Sequence, residues 1–131
     1  MLKAIGQVAV PVHDLERAVR FYRDTLGLEL LFEVPKMAFL QCGGVRLMLT
    51  VPDDPAFDHP ASIIYYRVDD ITAASGKLKT LGTRFEAEPH RVADMGDHEL
   101  WMAFLRDSED NVLALMSEVP KAGEGSGSDG S

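Results

Sequence analysis

The side chains most suited to acid–base or ligating chemistry gather in one stretch, "EPHRVADMGDHELWMAF", where His90 and His98 bracket a loop carrying Asp94 and Asp97, with Glu99 just beyond. An imidazole titrates near neutrality, about pH 6.5 when unperturbed, so His98 at the mouth of a ligand site is a candidate general acid or base. Two other readings fit the same residues. One is a metal site built from His90, His98 and an acidic neighbour, although their eight-residue spacing matches no standard ligand motif. The other is a solvated loop that sets strand register. His13 precedes a helix cap and His59 lies in a proline-rich "DHP" segment, and both read as surface residues. Cys42 sits in a turn with Gly43 and Gly44. No helix N-terminus or basic partner is evident to lower its pKa, so it reads as a bystander, not a nucleophile. Arg46 and Arg67 are the remaining candidates. Each has the geometry to hold a carboxylate or phosphate through two parallel hydrogen bonds, or to pair with an acidic residue at a rim.

The elements that must position these groups can be read from periodicity. Ile5–Val12 is a short apolar run ending near Pro11, hence a strand, and Asp14 is a good N-cap. Leu15, Ala18, Val19, Tyr22 and Leu26 then form one helical stripe, closed by Gly27. Leu28–Val34, Met37–Gln41 and Val45–Val51 follow as strands, the last two joined by the turn "CGG". Beyond the proline-containing stretch the pattern restarts. Ser62–Val68 reads as a strand, Asp69-Asp70 as a cap, and Ile71, Ala74, Leu78 and Leu81 as a stripe ending at Gly82. Arg84–Glu88, Glu99–Arg106 and Val112–Ser117 supply three more strands, the last pair joined by "DSEDN". Each half therefore reads βαβββ. "VHDL" at Val12–Leu15 matches "VDDI" at Val68–Ile71, and the tetrapeptide "MAFL" occurs at both Met37–Leu40 and Met102–Leu105. Two copies of a long unit do not suit a solenoid, which needs several stacked repeats. The expected organisation is a first module over 1–52, a linker over 53–61, a second module over 62–119 and a flexible Gly/Ser-rich tail over 120–131.

Composition narrows the function. The chain has 131 residues, 46% of them hydrophobic and 26% charged, enough to bury a core. Its formal net charge of −8 opposes sequence-independent binding to nucleic acid or an anionic membrane. Small molecules or a second copy of the chain are the expected partners. A single cysteine excludes an intramolecular disulfide, and the start "MLKAIGQVAVPV" lacks the features of a signal peptide, so a cytoplasmic location is expected.

The segments "VPVHDLERAVRFYRDTLGLELLFE" and "RDSEDNVLALMSE" resemble the vicinal oxygen chelate superfamily, the glyoxalase/bleomycin resistance/dioxygenase proteins. The resemblance spans roughly Ala4 to Glu118 and implies an α+β fold in which two tandem βαβββ modules form a cup-shaped mixed sheet. It also implies a homodimer, because two-module members of this length commonly build their cups at a subunit interface. In the superfamily a divalent metal is typically held by one residue from the first and one from the last strand of each module. Those slots fall here on Gln7, Met48, Ile63 and Ala114. Ile63 and Ala114 offer no donor atom, Met48 offers a soft thioether, and only Gln7 carries an oxygen suited to a hard or borderline ion. No metal or other cofactor is therefore expected at the usual place. The Lewis acid of glyoxalase, fosfomycin-transferase or dioxygenase chemistry would be missing with it.

Side chains alternate faces along a strand, so residues sharing parity with the slots should line the cup. That selects Gln7, Arg46, Met48, Ile63, Tyr65, Arg67 and Ala114. Fosfomycin-resistance members place a cavity-facing tyrosine ten residues before the final slot, which lands on Phe104. Met102 and His98 follow by parity, Trp101 turns outward, and the repeat makes Phe39 the counterpart of Phe104. An apolar lining with a few polar groups suits a small organic ligand, although the same residues would also serve as a packed core. Two functions follow. One is a binding or sequestering protein of the resistance type. The other is a glyoxalase-like enzyme, metal-free with His98 as acid/base and Tyr65 or Gln7 assisting, or using relocated metal ligands.

Overall fold

The computed structural model of the chain describes residues 1–60 and 62–121. From residue 122 onward the expected tail lies outside the described residues. The first module runs β1 (Gln7–Pro11), α1 (Leu15–Arg20), β2 (Glu29–Val34), β3 (Met37–Cys42) and β4 (Val45–Thr50). The second runs β5 (Tyr65–Arg67), α2 (Ile71–Thr80), β6 (Phe85–Asp94), β7 (His98–Arg106) and β8 (Val112–Pro120). Each module forms a four-stranded mixed sheet, ordered β1-β4-β3-β2 in one and β5-β8-β7-β6 in the other. In both, the first strand pairs parallel with the last and the other pairings are antiparallel. The repeat read from two short motifs is thus a repeat of topology.

The helices begin where side-chain caps can satisfy their first amides. The Asp14 carboxylate accepts from the Arg17 N–H at 3.1 Å, and Asp70 accepts from Ala73 at 3.0 Å. Both end in a glycine at positive φ, Gly27 at 81° and Gly82 at 90°, a region costly for residues with a Cβ. After Arg20 the first helix widens into one π-helical turn, Phe21–Thr25, which the stripe did not signal. In the second helix the buried positions are Ile71, Ser75 and Leu78. Leu81 is the C-cap and half exposed, so the expected fourth position leaves the stripe.

Strand boundaries differ most at β5 and β6. β5 is three residues long where seven were expected. β6 runs to Asp94, six residues beyond the expected end at Glu88. It is an edge strand, where Pro89 costs no inner-ladder hydrogen bond, and three register shifts interrupt its pairing with β7. The turn between β6 and β7 is therefore only Met95–Asp97.

By compactness the chain divides into two units. The first holds Met1–Ser62 together with Asp107–Asn111, and the second holds Ile63–Arg106 and the chain from Val112. In the first unit Val10, Ala38, Leu40, Leu47 and Leu49 are buried on the sheet face against α1, which contributes Ala18, Val19 and Tyr22. In the second, Ala103, Leu105, Leu113 and Leu115 are buried on the face against α2, which contributes Ile71 and Leu78. Strand alternation leaves every second residue on the opposite face of each sheet.

The first unit also has a polar centre. Asp107, 3% exposed, accepts from the Tyr22 hydroxyl at 2.7 Å, the amides of Glu109 and Asn111 at 2.8 and 2.9 Å, and the Asn111 side chain at 3.1 Å. Glu109 accepts from the Asp14 amide at 2.9 Å and lies 3.7 Å from Arg17 and 3.6 Å from His13. His13 also meets Asp58 at 2.9 Å. The turn-forming "DSEDN" segment thus supplies an acceptor for a buried hydroxyl as well as a hairpin.

Candidate functional site: the open sheet faces

On the first sheet the face away from α1 carries Gln7, Phe39, Arg46 and Met48, as parity required. Gln7 registers with Arg46, and Phe39 with Met48. The Gln7 carboxamide uses both ends. Its oxygen accepts from Arg46 Nε at 3.0 Å, and its nitrogen donates to the Met48 thioether at 3.6 Å. The Arg46 guanidinium lies over the Phe39 ring, 5.2 Å from its centroid.

Phe39 in turn stacks on Phe32, with centroids 4.5 Å apart and planes at 23°. Phe32, 47% exposed, is a site residue that parity alone misses. Leu30 pairs with Leu40 on the helix side, and regular alternation would place Phe32 there too. A bulge between them shifts the register so that Phe32 opposes Phe39 and its ring turns to the open face.

On the second sheet Phe104 and Ala114 pair, and Ala114 also registers with Tyr65 on its other side. The small methyl lets the two rings meet across it edge to face, centroids 5.9 Å apart, and Ala114 is fully buried beneath them. Met102 and Arg67 both register with Met116, so they share this face. Ile63 precedes β5 and is half exposed. Trp101 registers with buried Ser117 on the helix side, and its indole N–H donates to Glu99 at 3.0 Å.

The two histidines take different places. His90 registers with Met102, and its ring lies 6.4 Å from that of Phe104. Its Nδ1 is 2.7 Å from the Glu88 carbonyl, which can only accept, so Nδ1 carries the proton and Nε2 of the neutral ring is left basic. His98 lies six residues along β7 from Phe104, on the order of 20 Å away at about 3.3 Å per residue. There its Nδ1 donates to Asp97 at 2.7 Å and its Nε2 is 3.9 Å from Glu118. That bond holds the Asp97 carboxyl below its ordinary range. The register does not bring His98 and Tyr65 together. It also sets His90 and His98 four residues apart along β7, about 13 Å.

The four family metal positions do not make a donor set for a divalent ion. Gln7 spends its oxygen on a guanidinium, Met48 takes the carboxamide nitrogen, Ala114 lies under two rings, and Ile63 has no donor. Among the described residues no group of three or more His, Cys, Asp or Glu side chains is arranged to hold a metal ion. Cys42 is half-buried, and burial pushes its thiol up from the ordinary value. No helix among the described residues is long and apolar enough to cross a membrane.

Comparison with known proteins agrees with the topology. The chain is 26% identical over 113 residues to the metallothiol transferase FosB of Staphylococcus epidermidis, covering 86% of this chain and 66% of that protein. Among solved structures it superposes on TnmS3, an antibiotic binding protein from Streptomyces sp. CB03234, with a TM-score of 0.73 at 23% identity over 92% of this chain and 98% of the other. Lactoylglutathione lyase from Agrobacterium tumefaciens gives 0.69 at 24% identity, covering 88% and 94%. The family model of the Glyoxalase/Bleomycin resistance protein/Dioxygenase superfamily matches residues 4–115, and with two βαβββ modules of identical strand order the chain belongs to that superfamily.

Proposed function

We propose that this protein binds a small, partly apolar organic ligand on the open sheet faces without a metal at the family's usual positions, and sequesters it in the manner of resistance proteins. The observation that carries the reading is the state of those positions: Gln7 is engaged by Arg46, Ala114 is roofed by Tyr65 and Phe104, and aromatic and thioether groups surround both. Weakly hydrated rings beside a few polar groups are what retain such ligands. The antibiotic-binding description of TnmS3 lies in the same direction. The family habit of pairing two chains supports a homodimer. The single cysteine suits a reducing compartment, and we take the protein to be cytoplasmic.

The test is calorimetric titration with a panel of aromatic antibiotics before and after chelator treatment, with mass spectrometry of the recovered ligand. Binding indifferent to chelator, with the ligand unchanged, is expected. Loss of binding with chelator, or metal-dependent conversion of the ligand, overturns the reading. Light scattering on the same sample checks the dimer.

A second reading, a metal-free enzyme, draws support from the tautomer of His90. A ring whose Nδ1–H is held by a carbonyl presents Nε2 as a proton acceptor, here beside Phe104. His98, which the register sets about 20 Å along β7 from Phe104 and away from Tyr65, is the other acid/base candidate. Turnover abolished by His90→Ala but kept by His98→Ala selects the former. The reverse selects the latter, and no turnover of any panel member removes the enzyme reading.

A further inference from the structure

The chain carries 21 acidic and 13 basic residues, so an arginine without a carboxylate partner is unexpected. Arg17, Arg20, Arg23, Arg91 and Arg106 each lie within ion-pair distance of an Asp or Glu. Among the described residues Arg46 and Arg67 have no carboxylate within ion-pair distance, and Arg46 spends its Nε on the neutral carboxamide of Gln7 and rests over Phe39. This arrangement orients the guanidinium without neutralising it. The Gln7 oxygen fixes one edge, the ring fixes the plane, and the two terminal NH₂ groups keep their capacity for a planar oxyanion. Beside it, the exposed Phe32–Phe39 stack offers an aromatic surface continuous with the cation.

We infer that Arg46, positioned by Gln7 and Phe39, is the recognition point for an aromatic oxyanion, a ligand whose ring packs on Phe32 and Phe39 while its carboxylate or phosphate bonds the guanidinium. The inference rests on the small-molecule reading above and names the ligand class. Arg46 is a fixed organic cation beside Gln7 and Met48, two of the positions that the family resemblance assigns to metal ligands, so this face carries a positive centre without a Lewis acid. Gln7 is a positioning residue here: it acts on the ligand only through Arg46.

The experiment titrates the purified full chain with three probes of one ring system: 1-naphthoate, 1-naphthyl phosphate and uncharged 1-naphthamide. Either anion should bind about tenfold or more tightly than the amide, the ratio expected of one good charge-assisted hydrogen-bond pair. Arg46→Met, which keeps an apolar stem against Phe39, should bring the three within about twofold of one another, with circular dichroism showing that the fold is retained. Gln7→Leu should lower anion affinity several-fold with little effect on the amide, and Arg67→Met should preserve the preference. Comparison of the two anions separates carboxylate from phosphate recognition. Equal binding of anion and amide by the parent protein, or an anion preference that survives Arg46→Met, overturns the inference and leaves small-molecule binding standing. If none of the three binds at millimolar concentration the inference falls, and the antibiotic panel decides the small-molecule reading separately.

Discussion

Asp107→Ala should be among the most damaging single substitutions outside the apolar core. The carboxylate accepts four hydrogen bonds, and one donor, the Tyr22 hydroxyl, belongs to a residue only 2% exposed. Depriving that hydroxyl of this acceptor costs about 1–3 kcal/mol, and the turn amides of Glu109 and Asn111, better placed to recruit water, add roughly 0.5–1 kcal/mol each. Removing a buried carboxylate also recovers part of its own desolvation cost, so the net expectation is about 3 kcal/mol. At roughly 2.1 cal/mol/K of unfolding entropy per residue, a chain of 131 residues loses about 4 °C per kcal/mol, which puts the fall in Tm near 11 °C. Tyr22→Phe removes only one of the four bonds and should cost about 1–1.5 kcal/mol, or 4–6 °C. Because the two groups share a bond, the double variant should lose less than the sum of the single losses, by about 1 kcal/mol. Circular dichroism melts of the four proteins settle it. Additive losses, or an Asp107→Ala melt within about 3 °C of the parent, would refute the argument that this carboxylate organises the first unit.

Three further outcomes are expected. The Asp97 carboxyl is held low first by the His98 hydrogen bond, so carbon-detected NMR should find its midpoint below that of an ordinary aspartate, and His98→Ala should raise it. The sign follows from linkage: a depressed folded pKa gives stability that is present above the unfolded value near 3.8 and is lost as pH falls through the folded value. Cys42 should alkylate with iodoacetamide more slowly than a free thiol at pH 8, since burial raises its pKa and leaves less thiolate; a rate equal to that of glutathione would contradict its placement. Asp14→Ala removes the cap of α1 and the carboxylate bonded to Arg17, and should cost about 1 kcal/mol in a denaturant melt, with Asp14→Asn recovering most of it.

The sequence made the repeat legible because its signals are local. An aspartate that caps a helix and a glycine that ends it act within a few residues, and the first module was read nearly to its strand ends. What escaped depends on pairing. Phe32 reaches the open face only because a bulge places it opposite Phe39, and nothing within Leu28–Val34 announces that shift. Pro89 and the charged alternation around it read as loop, yet an edge strand tolerates both, so β6 continues and brings His90 to Phe104. His98 drew attention through its residue type and neighbours, whereas its distance from Tyr65 is set by how far β7 extends. Parity puts Gln7, Met48 and Ala114 on the strand faces away from the helices but says nothing of depth: Ala114 has the parity of an open position and is fully buried, with the rings of Tyr65 and Phe104 in register on either side.

Residues 107–111, which complete the first unit, stand 85 positions after Tyr22 and 95 after Asp14 along the chain. Although the gene spells one module and then another, a fragment ending at the linker would lack Asp107, which accepts from its buried Tyr22, and Glu109, which accepts from its Asp14 amide. Such a unit closes late in synthesis, after a long loop has been drawn in, and the entropy of that closure must be met before its polar centre forms. The duplication therefore gives copies that resemble each other without being interchangeable: a half-length ancestor of the first would have had to obtain its DSEDN-like turn from a second polypeptide.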